Sequence, residues 1–535
     1  MFVYTEPPMS RDKYRKVNLL CSLLLPIAIS IVIFYLLYLF FLSHIWGDQA
    51  FLLYAAKEVL AGVKLDGSRL IVVNPPLIVW FSAIPVAISQ VLHVSPVLAL
   101  RVITLFLVSA STVWSARLLR IGGIGAALGV PYLLVAALVS VAELTIQPAM
   151  FGQREQFVVA LLMPCVLAVS TGAIKSLTIT ERCAIGFCAG LGVCFKPQQV
   201  STLICLELFL LVYRRGLRHL VSVELLVSVL TGIVYVVGVW AFTPYFSAIV
   251  PLLLDTYWAF GQHTWSGMLL HDAQLLTAVL LTAVIGWLSL RPRMCAPMLA
   301  GALLACSAGS LIAFYLQHTG WSYQAFPARA FLFVAIVTIA LDSIGVRYGQ
   351  SFRYGRPRKA AWVGAVAISV TAFAGAAAIR KWVDTRHGHP KIYTELASYP
   401  PGTAVYVFSV EMLQFPLLLD RQFVWASRFE DLWMLPAIIQ NETSRKDRSR
   451  PFKASSSERT EELAAIQRNS TTEDLQIWKP KYVFVQRCAG DPPCEIFNHP
   501  VDFISWFSKS PLFAAEWTKY RFEKTLDNVD VYVRN

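Results

Sequence analysis

The chain has 535 residues, of which 56% are hydrophobic and only 15% are charged, and its mean hydropathy is +0.57. Soluble domains carry roughly 25% charged residues, so this composition excludes an ordinary soluble protein. The net charge of +13 would fit a nucleic-acid partner, but the basic residues lie in short loops between apolar runs, as the positive-inside rule produces. We therefore expect a membrane protein that binds no nucleic acid.

Apolar runs of about 20 residues recur along the first 380 positions, the length that a helix needs to cross a bilayer. The runs lack the alternation of barrel strands, so we predict an α-helical polytopic bundle. The first run is too long for a cleaved signal peptide and lacks a small-residue cleavage site, so it should be retained. Eleven spans are predicted, near residues 18–42, 97–117, 123–146, 155–173, 183–195, 198–213, 219–242, 272–290, 295–316, 326–343 and 360–380.

A further apolar run at 75–92 is ambiguous between a span and a helix at the membrane surface. If it lies at the surface, every basic loop falls on one side, which gives a cytoplasmic N-terminus and an outer C-terminus. Asn74, followed by Pro75, is then expected to cap this helix. The predicted transmembrane unit is 1–384, and its outer-face loops are 43–96, 147–154, 243–271 and 317–325.

From about residue 385 charged residues, prolines and turn signals appear, which predicts a small extracytoplasmic α/β domain over 385–535. Strand-like runs lie at 403–410, 481–487 and 528–535, and helix-like runs at 457–468 and 501–508. The polar stretch 441–460 reads as a flexible loop. Cys488 and Cys494 close a short loop and would form a disulfide if this domain lies outside the cytoplasm.

Ionisable residues gather in the predicted outer loops. Asp48 follows the first span and precedes a predicted short amphipathic helix over 49–60, while Arg154 and Glu155 lie together in the second loop. Charged groups beside spans are costly and usually functional. The alternatives stay open: Asp48 could be only a helix N-cap, and Glu155 only a partner for the helix dipole.

The cations Arg154, Lys196 and Arg329 would suit a phosphate, or could reach interfacial lipid phosphates. Lys57, Asn74 and Tyr323 lie in the same outer loops, as do the aromatic residues of 243–271, which would fit either a sugar platform or an interfacial belt. A pocket of this composition suits an amphipathic substrate with a phosphate head.

The layout resembles the GT-C superfamily of integral-membrane glycosyltransferases over roughly residues 17–380. The resemblance is carried by Asp48 just after span one, by NPPL at the start of the 75–92 helix, by the acidic residue in FGQREQ, and by GLGVCFKPQ. It is greatest to the branch that holds protein O-mannosyltransferases, the lipid A aminoarabinose transferase and Rgt-type lipopolysaccharide transferases. In that branch relatives often have Lys where Asn74 stands.

The resemblance implies inverting sugar transfer from a polyprenyl-phosphate donor to a cell-surface glycan, lipid or protein. The reaction would occur among membrane lipids on the outer face of a bacterial inner membrane. Asp48 matches the general base, and Glu155 would orient the acceptor or, with Asp48, hold a divalent metal such as Mg²⁺ or Mn²⁺; no cofactor is certain. The alternatives are a flippase or transporter for lipid-linked sugars, and an O-antigen-type ligase.

Overall fold

The computed structural model describes residues 27, 29–40, 43, 45–128, 130–261, 263–348, 395–412, 415–443, 450–489, 494, 496–497, 500–526 and 528–535. Within these ranges six helices are long and apolar enough to cross a membrane, and a small sheet domain follows them. The architecture is compatible with a multi-pass membrane protein. The first part of the predicted span 18–42, the span 360–380 and residues 444–449 of the predicted flexible loop lie outside the described residues.

Most helices of the apolar region begin and end close to the bounds of the predicted runs, because long apolar runs that end at charged or capping residues leave few choices of boundary. Six of the described helices meet the length and hydropathy of a span, so the count of eleven is not shown. The helices of the apolar region are α1 (Ile29–Phe40), α2 (Gly47–Leu60), α3 (Leu77–Leu92), α4 (Pro96–Ile121), α5 (Ile124–Leu128), α6 (Tyr132–Leu144), α7 (Arg154–Thr171), α8 (Ile179–Phe195), α9 (Val200–Arg214), α10 (Val223–Phe242), α11 (Val250–Thr256), the one-turn α12 (Trp265–Gly267), α13 (Gln274–Leu290), α14 (Pro297–Gln317) and α15 (Phe326–Tyr348).

One predicted span is divided in two. The run 123–146 forms α5 and then α6, which begins directly after Pro131. Proline has no amide hydrogen and fixes its own φ, so it cannot continue a helix without breaking the ladder of hydrogen bonds. A continuous apolar run was therefore not enough to predict a continuous helix here.

Polar contacts collect at two opposite ends of the bundle. At one end Arg117 pairs with Glu181, and Arg182 pairs with Glu224 at 2.8 Å. Asp342 accepts from the backbone amides of Cys295 and Ala296, at 3.0 and 2.8 Å. The other end, where α2 begins and α7 starts, contains the residues discussed below.

Helix α3 stays at the α2 end of the bundle. It is 16 residues long, which is about 24 Å and shorter than the hydrocarbon core. Its last turn connects through Ser95 to the start of α4, and Leu100 of α4 packs against Gly152, two residues before α7 begins. Both ends of α3 therefore lie on the same side, as expected of a helix along a surface.

Helix α7 is the centre of the bundle. In its apolar window 89% of the residues are buried, against 11% for α10, so α7 is enclosed by protein while α10 presents most of its apolar surface outward. The two residues that open α7 are Arg154 and Glu155. The most enclosed helix therefore begins with two charged side chains.

The C-terminal domain is built on a five-stranded mixed sheet in the order β2-β1-β3-β5-β4. The strands are β1 (Ala404–Phe408), β2 (Val424–Trp425), β3 (Tyr482–Gln486), β4 (Tyr520–Leu526) and β5 (Val529–Arg534), and the helices are α16 (Phe415–Arg421), α17 (Leu435–Glu442), α18 (Ser457–Trp478), α19 (Phe503–Phe507) and α20 (Pro511–Trp517). Strand β1 pairs parallel with β2 and β3, while β5 pairs antiparallel with β3 and β4. A disulfide joins Cys488 and Cys494.

The C-terminal domain packs directly onto α2. Phe51 stacks edge-on against Phe415 with ring centroids 4.9 Å apart, and the Trp425 amide donates to the Tyr54 hydroxyl at 3.2 Å. Gly47 fits closely because a Cβ there would lie 2.2 Å from the Met412 carbonyl oxygen. Helix α2, predicted to be amphipathic, is thus buried along most of its first nine residues. The C-terminal domain covers the face that was expected to be exposed.

Candidate functional site

Asp48 lies in the first turn of α2, and its side chain is 15% exposed. The cap residue is Trp46, and no side chain caps this helix, so Asp48 is not the N-cap. Instead its two oxygens accept hydrogen bonds from amides of separate loops: Gln153 Nε2 donates to Oδ2 at 2.9 Å and Asn74 Nδ2 donates to Oδ1 at 3.4 Å. These contacts fix the orientation of the carboxylate.

Asn74 has a different role from the one predicted. The cap of α3 is Pro76, without a side-chain hydrogen bond, because the amide of Asn74 is turned toward Asp48. Position 74 therefore provides a neutral donor to the carboxylate.

The loop that carries Gln153 is held rigidly. Gly152 has φ +90°, a left-handed conformation that favours glycine. Its amide donates to Gln156 Oε1 at 2.9 Å, and Gln156 Nε2 donates to the Glu143 carbonyl at 3.0 Å. The FGQREQ segment thus uses both glutamines structurally, one to lock the turn and one to hold Asp48.

Arg154 is the cation beside Asp48, with Nη2 at 3.9 Å from Oδ2. At that distance the two charges attract without a close hydrogen bond. The Arg154 Nε atom is buried and has no hydrogen-bond partner within the described part of the chain. An orphaned buried donor of this kind is available to a substrate anion.

Glu155 and Lys196 form a second, fully enclosed ion pair. Their side chains are 0% and 4% exposed, and Lys196 Nζ also lies 5.7 Å from the centre of the Tyr323 ring. Burial lowers the pKa of Lys196 to about 8, although the neighbouring Glu155 carboxylate opposes that shift. Lys196 thus shares its charge with Glu155 rather than leaving it free for a phosphate.

Two predicted site residues lie apart from this group. Arg329 is exposed, and its guanidinium donates to the Ser322 carbonyl. Lys57 is exposed in the last turn of α2, more than two turns from Asp48. Asp255, in the predicted outer loop 243–271, accepts from Arg459 at 2.8 Å and lies 3.3 Å from Lys453 Nζ. Its charge is used to attach the 243–271 segment to the C-terminal domain.

Three site residues, Gln153, Glu430 and Asp431, were missed by the sequence reasoning. Glu430 and Asp431 follow β2 in the C-terminal domain, and both are within electrostatic range of Asp48. Tyr257, one of the aromatic residues of the predicted outer loop 243–271, is coupled to Glu430, Asp48 and Arg154, and burial raises its pKa. The sequence RFEDLW offered one signal, two adjacent acids inside an aromatic stretch, but nothing local showed that it would face α2.

The contacts of Asp48 and Glu155 do not fit a divalent metal site. Asp48 accepts from two amides, and Glu155 is paired with Lys196. Across the described ranges no three His, Cys, Asp or Glu side chains are grouped to hold a metal ion. We therefore assign no step to a metal held by Asp48 and Glu155.

The search for similar proteins gives no relative. A scan against models of protein families finds none that matches the chain, and a search of curated proteins finds no similar sequence. The function is therefore argued from the residues and their geometry.

Proposed function

We propose that the chain is a GT-C type glycosyltransferase that moves a sugar from a polyprenyl-phosphate donor to a cell-surface glycan, lipid or protein. The observation that carries the proposal is the Asp48 centre. A carboxylate oriented by two amide donors stands 3.9 Å from a cation whose Nε has no hydrogen-bond partner among the described residues. This arrangement offers a base and an anion-binding group side by side.

In the proposed reaction Asp48 accepts the proton of the acceptor hydroxyl or amine as that group attacks the anomeric carbon. The bond from the anomeric carbon to the phosphate oxygen breaks, and the lipid phosphate leaves with the electron pair. The phosphate gains negative charge as it leaves, so a fixed cation stabilises the transition state more than the ground state. Arg154 is the residue that we assign to this role. Asp48 then releases its proton to water.

The membrane topology belongs to the same proposal: eleven spans, a cytoplasmic N-terminus and a C-terminal domain on the outer face of a bacterial inner membrane. An apolar groove of about 300 Å³ is formed by Trp265, Leu269, Ile312, Tyr315 and Leu316. It lies beside the 317–325 loop that carries Tyr323. It would suit part of a prenyl stem whose phosphate reaches Arg154.

The test is sugar transfer by purified protein in proteoliposomes, with a panel of polyprenyl-phosphate sugars and extracted surface glycans. Asp48→Asn keeps the shape of the side chain and removes the base, so the transfer rate should fall by about 10²–10⁴-fold. Glu58→Gln, at the other end of the same helix, is the matched control and should transfer like wild type.

Equal transfer by wild type and folded Asp48→Asn protein would contradict the assignment of the base. If wild type transfers no sugar but moves lipid-linked sugar between leaflets, the flippase alternative replaces the proposal. Transfer of whole oligosaccharide chains in preference to single sugars would favour the ligase alternative.

A further inference from the structure

Two acids of the C-terminal domain are buried beside the Asp48 centre and form no ion pair among the described residues. Glu430 is 4% exposed and Asp431 is 7% exposed. Glu430 Oε2 and Asp431 Oδ1 have no hydrogen-bond partner, and neither residue forms an ion pair with any part of the chain that the structure describes. Buried carboxyl groups are normally paired, so each orphaned oxygen indicates a missing partner.

The position of these acids is fixed by contacts of the neighbouring residues, and Asp431 also accepts a hydrogen bond from the Trp433 backbone amide. The Ile71 amide donates to the Arg428 carbonyl at 2.7 Å, two residues before Glu430. Val73 is buried in one cluster with Phe429 and Trp433, and the next residue, Asn74, donates to Asp48. Residues on both sides of the two acids are thus packed against the loop that holds Asp48.

The charges of the site do not balance. Asp48 has Arg154 beside it, and Glu155 has Lys196, so these four charges cancel. Glu430 and Asp431 are the two acids of the site that lie outside these ion pairs. Burial raises both pKa values well above the ordinary range; Asp431 and Asp48 add to the shift of Glu430, and Glu411 and Asp48 add to that of Asp431, while Arg154 and the Trp433 amide oppose them. The two acids thus lack a cation paired directly with them among the described residues.

We propose that Glu430 and Asp431 form a subsite for an ammonium group of the acceptor, opposite Asp48. The proposal rests on the glycosyltransferase function, because it assigns the acceptor side of that site. The C-terminal domain contributes the subsite, and in the proposed topology this domain lies on the outer, aqueous side, from which the acceptor would arrive. The proposed subsite implies that the acceptor carries a primary amine near the group that is glycosylated.

An organic ammonium fits these residues better than a metal ion does. Divalent metals need several oxygens at 2.0–2.6 Å, whereas no such group of three acidic, His or Cys side chains exists in the described structure. An ammonium needs only one or two carboxylates and also favours aromatic rings. Tyr257 supplies a ring among these acids, since its hydroxyl is electrostatically coupled to Glu430 and Asp431.

The test compares two small sugars that differ in charge. Binding of glucosamine and of N-acetylglucosamine to the full-length protein in detergent is measured by thermal shift titration at pH 7. Glu430→Gln and Asp431→Asn are the test variants, because an amide has the shape of the protonated carboxyl and should leave the fold intact. Glu523→Gln, an exposed acid on β4, is the matched control.

We expect glucosamine to bind wild type at least tenfold more tightly than N-acetylglucosamine does. Each test variant should lose that preference, and Glu523→Gln should keep it. Equal binding of both sugars, binding of neither, or an unchanged preference in both test variants would overturn the subsite. Binding of MgCl₂ that is lost in the same variants would also overturn it, in favour of a metal.

The binding measurement does not depend on whether the protein transfers a sugar. Charge-dependent glucosamine binding in a protein that transfers no sugar would leave a cation site and remove the glycosyltransferase function. Sugar transfer that depends on Asp48, with no preference for glucosamine, would remove only the ammonium subsite.

Discussion

The pairing of Lys196 with Glu155 determines how much positive charge the site offers to a phosphate. A free lysine in that position would be a strong phosphate ligand. With Glu155 against it, Lys196 contributes mainly to the rigidity of the α7 start, and Arg154 remains the cation with an unpaired donor. Two neighbouring residues in FGQREQ therefore have different roles: Arg154 keeps a donor available beside Asp48, and Glu155 holds Lys196.

Removing one member of this pair should cost more stability than removing both. Lys196→Met leaves Glu155 buried without a partner, and breaking such a pair costs about 3–5 kcal/mol. The double variant Glu155→Gln, Lys196→Met removes both charges and should recover most of that loss. Thermal unfolding in detergent of wild type, both single variants and the double variant measures the coupling.

If the double variant loses as much stability as the two single variants lose together, Glu155 and Lys196 do not form a direct pair. Exposed pairs are worth far less. Lys453→Met, which removes a partly exposed contact to Asp255, is therefore the control and should change the unfolding midpoint only slightly.

Sequence reasoning found the residues of the Asp48 centre but not their connections. Asp48, Arg154, Lys196 and Tyr323 were selected because each follows or precedes an apolar run, and helix ends on one side must lie together. Which amide would turn to Asp48 depends on distances between loops far apart in the chain. Asn74 is the clear example, since its position before Pro75 also fitted a helix cap.

At the scale of elements, the contact of α8 with α10 depends on two glycines one turn apart. A Cβ on Gly186 would lie 2.3 Å from the Glu224 carbonyl oxygen, and one on Gly190 would lie 2.6 Å from that of Ser228. The Ser228 hydroxyl donates to the Gly186 carbonyl at 2.8 Å. Small residues at this spacing let membrane helices approach closely, so the backbones themselves make the interface.

Gly190→Val should separate these helices. The added side chain has no space, so we expect a loss of about 1–3 kcal/mol, seen as a lower midpoint of thermal unfolding in detergent. Gly232→Val on α10 is the control, because a Cβ there meets nothing within 4 Å. If both variants unfold at the same temperature, α8 and α10 do not pack through Gly190.

The elements were predictable to different degrees for physical reasons. Spans such as α4 and α14 are long and apolar, and their boundaries were close to those predicted. The strands β1, β3 and β5 were predicted from β-branched runs. The two-residue β2 and the polar edge strand β4 gave no such signal, because their pairing depends on neighbouring strands. The burial of α2 could not be predicted, since its partner α16 lies more than 350 residues away.

At the scale of the whole molecule, the C-terminal domain is part of the site rather than an appendage. It covers α2 through Met412, Phe415 and Trp425, and it carries Glu430 and Asp431 toward Asp48. Packing that brings two buried acids, neither in an ion pair within the described residues, into an interface is expected to depend on their protonation. The stability of the assembled protein should therefore report on these two groups.

The sign of that dependence follows from the raised pKa values. Glu430 and Asp431 have ordinary values of 4.5 and 3.8, and burial raises both in the folded protein. Between the unfolded and folded values the folded state binds more protons, so the free energy of unfolding falls as pH rises. Their contribution is complete below about pH 4 and is lost progressively as pH rises through the folded values. The charged groups facing them are Asp48, Arg154, Tyr257 and Glu411.

The double variant Glu430→Gln, Asp431→Asn removes both titrations and should unfold with a flatter dependence on pH than wild type. Other buried acids, such as Asp66 with its pKa raised to about 7, titrate in both proteins and cancel in the difference. Thermal midpoints in detergent from pH 4.5 to 8 measure how the stability of each protein changes with pH, and Glu523→Gln is the control. At the acidic end the curves of wild type and double variant should lie closest together, and toward pH 8 the wild type should fall further below the variant. Parallel curves would mean that the two acids titrate normally, and hence that water reaches them where the C-terminal domain meets α2.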